Sequence, residues 1–276
     1  MSNHLNNQIQ RQIQQAATPI VNTPTNSIKI LQINLQKSKT ATDNPIQFLT
    51  ENHHDAVLVQ EPYCHQGNPR NLPTTWNVFN QLNADPNNNP RAAIFVINRS
   101  WSPIIQTAKR DVVTIQITTQ DSQLFLTSAY ASPTEELENT LHDLNINFYN
   151  TQAPHIIGGD FNAQNQLWGY NHTSPRGSSM EDFIQANNLI LHNTPEDNPT
   201  FETINSKRWP DLTLSTHHLI DKIQNRQILE DHTNSDHNYI SYEIIQAIDH
   251  VHTHRFNINQ GAAGNLKEPL NLKRPP

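Results

Sequence analysis

The chain has 276 residues, enough for one large domain with a substantial core or for two small ones. Its apolar content is only 34%, but the apolar residues come in runs of strand length, which favours a globular domain over a disordered chain. The net charge of −7 argues against non-specific binding of nucleic acid through bulk positive charge. Cys64 is the only cysteine, and neither a signal peptide nor an apolar run of the roughly 20 residues that span a membrane is present. A nuclear or cytoplasmic location, without membrane contact, is therefore expected.

Polar segments flank one central region of mixed composition. Residues 1–27 are rich in Asn and Gln and are predicted to form a disordered tail. Residues 247–276 contain Gly, Asn and Pro and are predicted to form a flexible tail or the beginning of a linker. The region 28–246 shows no repeat and no shift in composition, so we predict a single domain there.

Within this domain, strand patterns come in groups with helical patterns between some of them. Helices are predicted at 133–150, with Ser132 and Glu135 as a capping box, and at 178–187, with Ser178 and Glu181 in the same roles. Residues 63–90 are predicted to form a long surface loop. The pattern predicts an α/β (α+β) fold, a four-layer sandwich of two mixed β-sheets packed face to face with helices on the outer surfaces. Strands are predicted at 28–34, 56–59, 92–98, 111–119, 123–130, 155–157, 189–192, 211–214 and 239–245.

The stretch His155–Ala163 carries the most chemical information. Its apolar beginning predicts a buried strand, after which Gly158 and Gly159 are expected to let the backbone turn. The turn would place Asp160 and Asn162 at the end of a sheet, where open α/β sheets hold their ligands. An acid beside a neutral amide suits a site that deprotonates and orients water near phosphate. A strand ending in an ordinary polar turn has the same pattern, so this motif alone assigns no function.

Polar residues also follow or precede other predicted strands. Asn34 ends the first strand, Glu61 follows the second, and Asp236-His237 precedes the last. Mg²⁺ binds proteins through one or two carboxylates and shares phosphate oxygens of the substrate. Glu61 meets that requirement, with Asn34 and Asp236 as further candidates. Each residue by itself has an ordinary explanation as a strand end, a solvated acid or a cap.

The order of these motifs resembles the endonuclease/exonuclease/phosphatase superfamily. More narrowly, the chain looks like the apurinic-type endonuclease domain of LINE-type, non-LTR retrotransposons, and Trp168-Gly169 and Arg176-Gly177 favour that branch. DNA-repair relatives usually carry an acid at the position of Gln36. The motifs that carry the resemblance are Gln32–Gln36, Gln60–Pro62, Tyr130 in Ser128–Pro133, Gly159–Ala163, Asp211 and Ser235–His237.

The resemblance implies a role for each catalytic candidate. Asp160 would act as general base toward the attacking water, and Asn162 would orient that water. His237, positioned by Asp211, would bind an oxygen of the scissile phosphate and stabilise its developing charge. Tyr130 would donate a hydrogen bond to the same phosphate.

The resemblance also implies ligands and partners. Mg²⁺, with Mn²⁺ as a substitute, would be held by Glu61, Asn34 and Asp236. Double-stranded DNA is the expected partner, together with a reverse transcriptase domain that these residues do not contain; the chain is expected to be a fragment, a truncated copy or a stand-alone relative. DNA contacts are predicted at Arg176, Asn165, Lys207 and Arg208.

The predicted function is therefore a Mg²⁺-dependent endonuclease that nicks one strand of duplex DNA and leaves a 3′-hydroxyl, as in target-primed reverse transcription. One alternative is a phosphatase or phosphodiesterase of the same superfamily that acts on a small molecule or lipid. Another is a DNA-binding relative without catalytic activity, against which the retained Glu61, Asp160 and His237 argue.

Overall fold

A computed structural model describes residues 27–83, 85–118, 123–148 and 153–245. The predicted tails, 1–27 and 247–276, lie outside these ranges apart from Ser27, which begins the first strand. None of the helices within the described ranges is long and apolar enough to cross a membrane.

Sixteen strands and three α-helices are present in the described part of the chain. The helices are α1 (Lys39–Glu51), α2 (Leu137–Phe148) and α3 (Pro175–Ala186), with short 3₁₀ helices at Gln166–Trp168 and His217–Leu219. The strands are β1 (Ser27–Asn34), β2 (Ala56–Gln60), β3 (Cys64–His65), β4 (Asn68–Pro69), β5 (Asn77–Phe79), β6 (Ala92–Val96), β7 (Ile104–Ala108), β8 (Val112–Thr118), β9 (Gln123–Tyr130), β10 (His155–Asp160), β11 (Leu189–Leu191), β12 (Phe201–Thr203), β13 (Ser206–Arg208), β14 (Asp211–Thr216), β15 (Ile223–Ile228) and β16 (Ile240–Ile245).

Two six-stranded mixed sheets form the inner layers. The strand order is β15-β16-β1-β2-β6-β5 in the first sheet and β11-β14-β10-β9-β8-β7 in the second. Each sheet has one parallel pair, β1 with β2 and β9 with β10, and its other pairs are antiparallel. The hairpins β3–β4 and β12–β13 stand apart from both sheets. The predicted sandwich of two mixed sheets is confirmed.

The main core lies between the two sheets. Ile30, Leu58 and Ile94 of the first sheet pack in one apolar cluster with Ile115 and Leu126 of the second. Full burial of such a side chain stabilises a fold by about 1.5–3 kcal/mol. A second cluster joins the outer face of the second sheet to α2 and α3, and a third joins the first sheet to α1. The helices therefore cover the outer faces, as the sequence predicts.

Several strands are not predicted from the sequence because they lack a buried apolar run. The edge strands β7 and β15 are largely exposed or half-buried, and the β12–β13 hairpin is polar. The predicted loop 63–90 contains the short strands β3, β4 and β5. Periodicity detects strands that bury a face, so short or peripheral strands leave little signal.

The predicted beginning of α2 at residue 133 is wrong. The helix begins at Leu137, and residues 133–135 form a turn after Ser132. The carboxylate of Glu135 does not close a capping box, because Arg91 Nη2 binds it at 2.6 Å. A long-range ion pair thus displaces the local hydrogen bond that the spacing suggests.

The predicted beginning of α3 at Ser178 is also wrong. The helix begins three residues earlier, at Pro175, where a proline suits the first turn. Ser174 is the cap: its Oγ accepts a hydrogen bond from the backbone N–H of Gly177 at 3.0 Å.

Gly158 and Gly159 lie inside β10 and do not form the predicted turn. They allow close packing instead: a Cβ on Gly158 would lie 2.6 Å from Gln32 Oε1 in the opposite sheet. A Cβ on Gly159 would lie 2.7 Å from the carbonyl oxygen of Ala129 in the neighbouring strand. The chain turns only at Asn162, whose φ is +48°.

Gly177 provides a test of close packing near the beginning of α3. Replacement of a helical glycine by alanine normally stabilises by about 0.5–1 kcal/mol, but here the Cβ would overlap the carbonyl oxygen of Gln164. We expect Gly177→Ala to lower stability by about 1–3 kcal/mol, as overpacking does. Thermal unfolding measures this, with the exposed neighbour Ser178→Ala as control. Equal melting temperatures for the two variants would contradict the packing.

Two histidines, His155 fully buried and His192 half-buried, predict how stability depends on pH. Burial lowers the pKa of His155 to about 3 and that of His192 to about 4. The unfolded chain binds these protons below about pH 6.5, so the free energy of unfolding should fall as pH drops from there toward 4. His192→Gln keeps a polar partner for Ser215 Oγ, now 2.8 Å from Nε2, and should flatten this decline. Melting temperatures between pH 4 and 8 measure the effect, and the exposed His172→Gln should leave the decline unchanged.

Candidate active site

Strand register brings the predicted side chains to one end of the sandwich. Asn34 is the last residue of β1, and Glu61 directly follows the parallel neighbour β2. In the second sheet, Asp160 is the last residue of β10 and pairs with Tyr130 on one side and Asp211 on the other. The fold therefore assembles these five residues from four different strands and one loop.

A hydrogen bond joins the two sheets at this end. Asn34 Nδ2 donates to Asp160 Oδ2 at 2.8 Å, and both residues are buried. The other carboxylate oxygen of Asp160 accepts the backbone N–H of Asn162 at 3.1 Å. The Asn162 side-chain amide donates to the carbonyl of Ala131 at 3.3 Å. The carboxylate and the amide are thus held in fixed positions next to each other.

His237 lies near the same oxygen of Asp160 that accepts from Asn34. Its Nδ1 lies 2.8 Å from Asp211 Oδ2, and its Nε2 lies 4.0 Å from Asp160 Oδ2. The imidazole also packs edge-on against Phe201, with ring centroids 5.0 Å apart. Asp211 and Phe201 therefore fix the ring so that Nε2 is directed toward Asp160.

Burial and neighbouring charge shift the pKa values of both groups. Burial and the nearby Asp211 raise the pKa of Asp160 to about 7, although His237 and Asn34 oppose the shift. Burial alone would lower the pKa of His237, but Asp211 and Asp160 outweigh it and raise the pKa to about 9. The arrangement combines a proton acceptor and a cationic donor near neutral pH, which suits acid–base chemistry.

The same three residues have the composition of a cation site. Asp160, Asp211 and His237 offer ligand atoms that all lie within 4.8 Å of one another. Asp211 Oδ1 is buried and has no hydrogen-bond partner among the described residues. Two carboxylates and an imidazole can hold a divalent cation, so the donor chemistry fits a metal.

Glu61 forms a second polar group beside Tyr130. Burial, followed by the nearby negative charge of Glu61, raises the pKa of the Tyr130 phenol. Tyr130 therefore keeps its proton and remains a donor. Lys37 Nζ lies 2.8 Å from Glu61 Oε1, and the Lys37 backbone N–H donates to the Glu61 carbonyl at 2.7 Å.

Gln36 occupies the position of the acid in DNA-repair relatives and holds the Asp236 loop. Its Oε1 accepts the backbone N–H of Asp236 at 3.0 Å, and its Nε2 donates to Asp236 Oδ2 at 3.1 Å. Ser235 Oγ donates to the Asn34 carbonyl at 2.8 Å. Glu61, Asn34 and Asp236 offer oxygen ligands of the kind that Mg²⁺ prefers.

The site contains backbone strain that the sequence does not reveal. Four non-glycine residues have left-handed φ values: Gln36 at +50°, Lys37 at +56°, Glu61 at +46° and Asn162 at +48°. Each such residue costs about 1–2 kcal/mol and persists only where its surroundings fix it. Such residues are concentrated at functional sites, and here they determine where Glu61 and Asn162 project.

Arg176, predicted to contact DNA, has an internal role instead. Its guanidinium donates to four backbone carbonyls, those of Phe161, Glu135, Ala131 and Ser132, at 2.8–3.1 Å. A side chain used in this way is not available to a phosphate. The assignment of Arg176 to a DNA contact is therefore revised: it ties the segment after β9 to the segment after β10.

Asn165 is likewise directed into the protein. It is 1% exposed, and its amide donates to Glu181 Oε2 at 2.8 Å and to the carbonyl of Gly177 at 3.3 Å. Its Oδ1 accepts the backbone N–H of Leu167 at 2.9 Å. A buried side chain with these partners cannot reach a nucleic acid, so this prediction is also revised.

Lys207 and Arg208 lie on β13 at the surface. Lys207 Nζ forms an exposed ion pair with Glu202 at 2.8 Å. The Arg208 guanidinium lies 5.5 Å from the centre of the Phe201 ring and lines a small cavity with Asn162 and His237. The structure thus places Arg208 beside the candidate catalytic residues.

Sequence reasoning missed Arg91, whose guanidinium lies 5.3 Å from the centre of the Tyr130 ring. The available signal was an arginine directly before a fully buried strand.

Comparisons with known proteins give a consistent result. A family profile described as endonuclease-reverse transcriptase matches residues 124–241. The endonuclease domain of TRAS1, a telomere-specific non-LTR retrotransposon, is 27% identical, with a TM-score of 0.70 over 79% of this chain and 98% of that one. A search of curated proteins finds no significant match.

More distant structures share the fold. The AP endonuclease LMAP from Leishmania major is 11% identical, with a TM-score of 0.63 over 80% of this chain and 88% of that one. Humanized D. rerio TDP2 is 13% identical, with a TM-score of 0.55 over 80% of this chain and 99% of that one. At this level of identity the likeness supports the architecture alone.

Proposed function

We propose that this chain is a metal-dependent DNA endonuclease of the endonuclease/exonuclease/phosphatase superfamily, similar to its LINE-type retrotransposon branch. It nicks one strand of a duplex and leaves a 3′-hydroxyl, which a reverse transcriptase domain would extend. The observation that carries the proposal is the buried network of Asn34, Asp160, His237 and Asp211, which sets a carboxylate opposite an imidazole at 4.0 Å.

The protein groups divide the work of phosphodiester hydrolysis between them. Asp160 accepts the proton of the attacking water, and a pKa of about 7 suits a base that works near neutrality. Asn162, held by the Ala131 carbonyl, orients that water. His237 donates from Nε2 to an oxygen of the scissile phosphate, and Tyr130 donates from its hydroxyl. Preorganised donors of this kind stabilise the charge that develops in the transition state.

We assign Mg²⁺, or Mn²⁺ in its place, to Glu61, Asn34 and Asp236. Their donors are oxygens only, which suits a hard cation better than the imidazole-containing cluster of Asp160, Asp211 and His237. A cation at this position supplies positive charge to the phosphate oxygens. Lys37 binds one Glu61 oxygen in the present arrangement and would have to release it.

Plasmid nicking tests the function directly. The protein with Mg²⁺ should convert supercoiled DNA to the open circular form, and a chelator should stop the reaction. Asp160→Asn should slow nicking by about a hundredfold or more, since it removes the proposed base. Asp160 is buried, so melting temperature must be followed in parallel, with the exposed Asp221→Asn as control. Full activity in a folded Asp160→Asn protein would contradict the role of Asp160 as the base. Faster hydrolysis of a soluble phosphomonoester than of plasmid would favour a phosphatase.

Substitutions at Glu61 and Lys37 should shift the metal requirement in opposite directions. Glu61→Gln keeps the shape but removes the anionic ligand, so more Mg²⁺ should be needed for half-maximal nicking. Lys37→Met removes the amine that binds Glu61 Oε1, so less should be needed. Titration with Mn²⁺, followed by the shift in melting temperature, measures the metal affinity of the two variants independently of nicking activity. A common metal dependence in both variants would place the cation elsewhere.

The salt dependence of duplex binding distinguishes Arg176, which has an internal role, from Lys207 and Arg208, which remain predicted DNA contacts. Each neutralised phosphate contributes a log–log slope of about −0.9. Replacement of Lys207 and Arg208 with Ala should make the slope shallower by about one or two units. Arg176→Met should leave the slope unchanged but lower the melting temperature, because four carbonyls lose their donor. A reversed pattern would restore Arg176 as a DNA contact.

A further inference from the structure

Arg91 is a buried side chain next to the active site, and it binds two carboxylates that are partly exposed. The residue is 6% exposed and directly precedes β6. Its Nε and Nη2 donate to the two oxygens of Asp111 at 2.5 and 2.6 Å. Its Nη1 and Nη2 donate to the two oxygens of Glu135 at 2.9 and 2.6 Å. Both pairings use two parallel hydrogen bonds, which fix the plane of the guanidinium as well as its position.

This fixed guanidinium lies over the aromatic ring of Tyr130, 5.3 Å from its centre. A cation at this distance attracts the face of the ring. The Asp111 carbonyl accepts the Tyr130 backbone N–H at 2.9 Å, so Asp111 holds both the arginine and the tyrosine backbone. The ring is therefore held from its face by Arg91 and from its backbone by Asp111.

The same arginine also contacts Glu61, whose negative charge acts on the Tyr130 phenol. The Arg91 carbonyl accepts the backbone N–H of Glu61 at 2.8 Å. Arg91 thus contacts both the tyrosine and the glutamate. Its side chain sets the position of the phenol, and its backbone sets the position of the proposed metal ligand.

We infer that Arg91 is a positioning residue, which acts through Tyr130 by holding its hydroxyl where the scissile phosphate binds. The inference rests on the proposed function, since it assigns Arg91 to the endonuclease reaction. Arg91 does not touch the phosphate itself: its donors are directed to Asp111 and Glu135.

A role in stability alone does not account for this arrangement. The Asp111 and Glu135 side chains are 20% and 45% exposed, and ion pairs with such partly exposed carboxylates contribute little net stability. Burial opposes the charge of Arg91, and the two carboxylates outweigh it and raise its pKa. The two double hydrogen bonds instead fix the position of the Arg91 guanidinium, and the guanidinium in turn fixes the Tyr130 ring that it contacts.

Fluorine NMR tests the positioning without reference to activity. The chain contains six tyrosines, so incorporation of 3-fluorotyrosine gives few signals, and Tyr130→Phe identifies the one from Tyr130. Arg91→Met should shift or broaden that signal more than any other. Arg110→Met is the matched control, because Arg110 lies 3.5 Å from the same Glu135 but has a 37% exposed side chain. An unchanged Tyr130 signal in Arg91→Met would overturn the inference.

Nicking kinetics test the consequence. Arg91→Met should lower kcat by about tenfold or more, the scale of a misplaced catalytic group, with KM changed less than about twofold. In a Tyr130→Phe background the same substitution should cost less than about twofold, because the group through which it acts is already absent. Equal losses in both backgrounds would show a general structural effect and refute the inference.

A milder substitution, Arg91→Lys, tests the inference even where the Arg91→Met protein does not fold. Arg91→Lys keeps a positive charge beside Asp111 and Glu135 but cannot make both double hydrogen bonds. It should give an intermediate fluorine shift and an intermediate loss of kcat, and identity with the unsubstituted protein in both assays would contradict the inference. If the unsubstituted protein does not nick DNA, the proposed function fails, whereas the fluorine spectra still decide whether Arg91 positions Tyr130.

Discussion

The hydrogen bond from Asn34 to Asp160 is the contact on which the site depends, because it joins the ends of the two sheets where the candidate catalytic residues meet. Deeper in the sandwich, Gln32 and Gln60 make further buried polar contacts between the sheets. An isolated buried carboxylate costs several kcal/mol, whereas one hydrogen bond to a charged group contributes only about 1.5–3 kcal/mol. Asp160 is therefore tolerated only with several partners: Asn34, the Asn162 backbone and the nearby His237. Gly158, two residues earlier, lets the sheets approach closely enough for this contact.

Three arginines of the described residues stabilise the fold and are not free to bind a polyanion. Arg91 and Arg176 hold the segments beside the site, and Arg226 pairs with Asp197 at 2.5 Å with only 9% of its side chain exposed. The count of basic residues thus overstates the charge available to a polyanion. With a net charge of −7, recognition of DNA would depend on a bound cation and on a few surface residues such as Arg208.

The sequence predicts the inner layers and the candidate site better than the periphery. Strands such as β2 and β6 are buried on both faces and appear as uninterrupted apolar runs, so their positions are predicted within a few residues. Asp160 and His237 are found because short motifs keep polar residues at strand ends. Motifs give residue order but not side-chain direction, which is why Arg176 and Asn165 were assigned outward when both are directed inward.

The remaining errors arise where long-range contacts override local ones. Glu135 has the spacing of a capping box, but a stronger ionic partner 44 residues away takes its carboxylate. Gly158 and Gly159 suggest a turn, yet the space they leave is filled by Gln32 and Ala129 from other strands. Both cases require knowledge of which distant segments meet, and no local pattern contains it.

The pairing of the last strand with the first has a consequence for synthesis of the chain. β16 completes the sheet beside β1, and Ser235 bonds to Asn34 across 201 residues of sequence. A ribosome therefore releases the Asp160 strand well before the segment that carries His237, and until then β1 has β2 as a neighbour on one side but no partner on the other. Contacts this far apart in sequence form late in folding. The nascent chain consequently keeps the imidazole and the carboxylate apart until the segment with His237 and β16 has been synthesised.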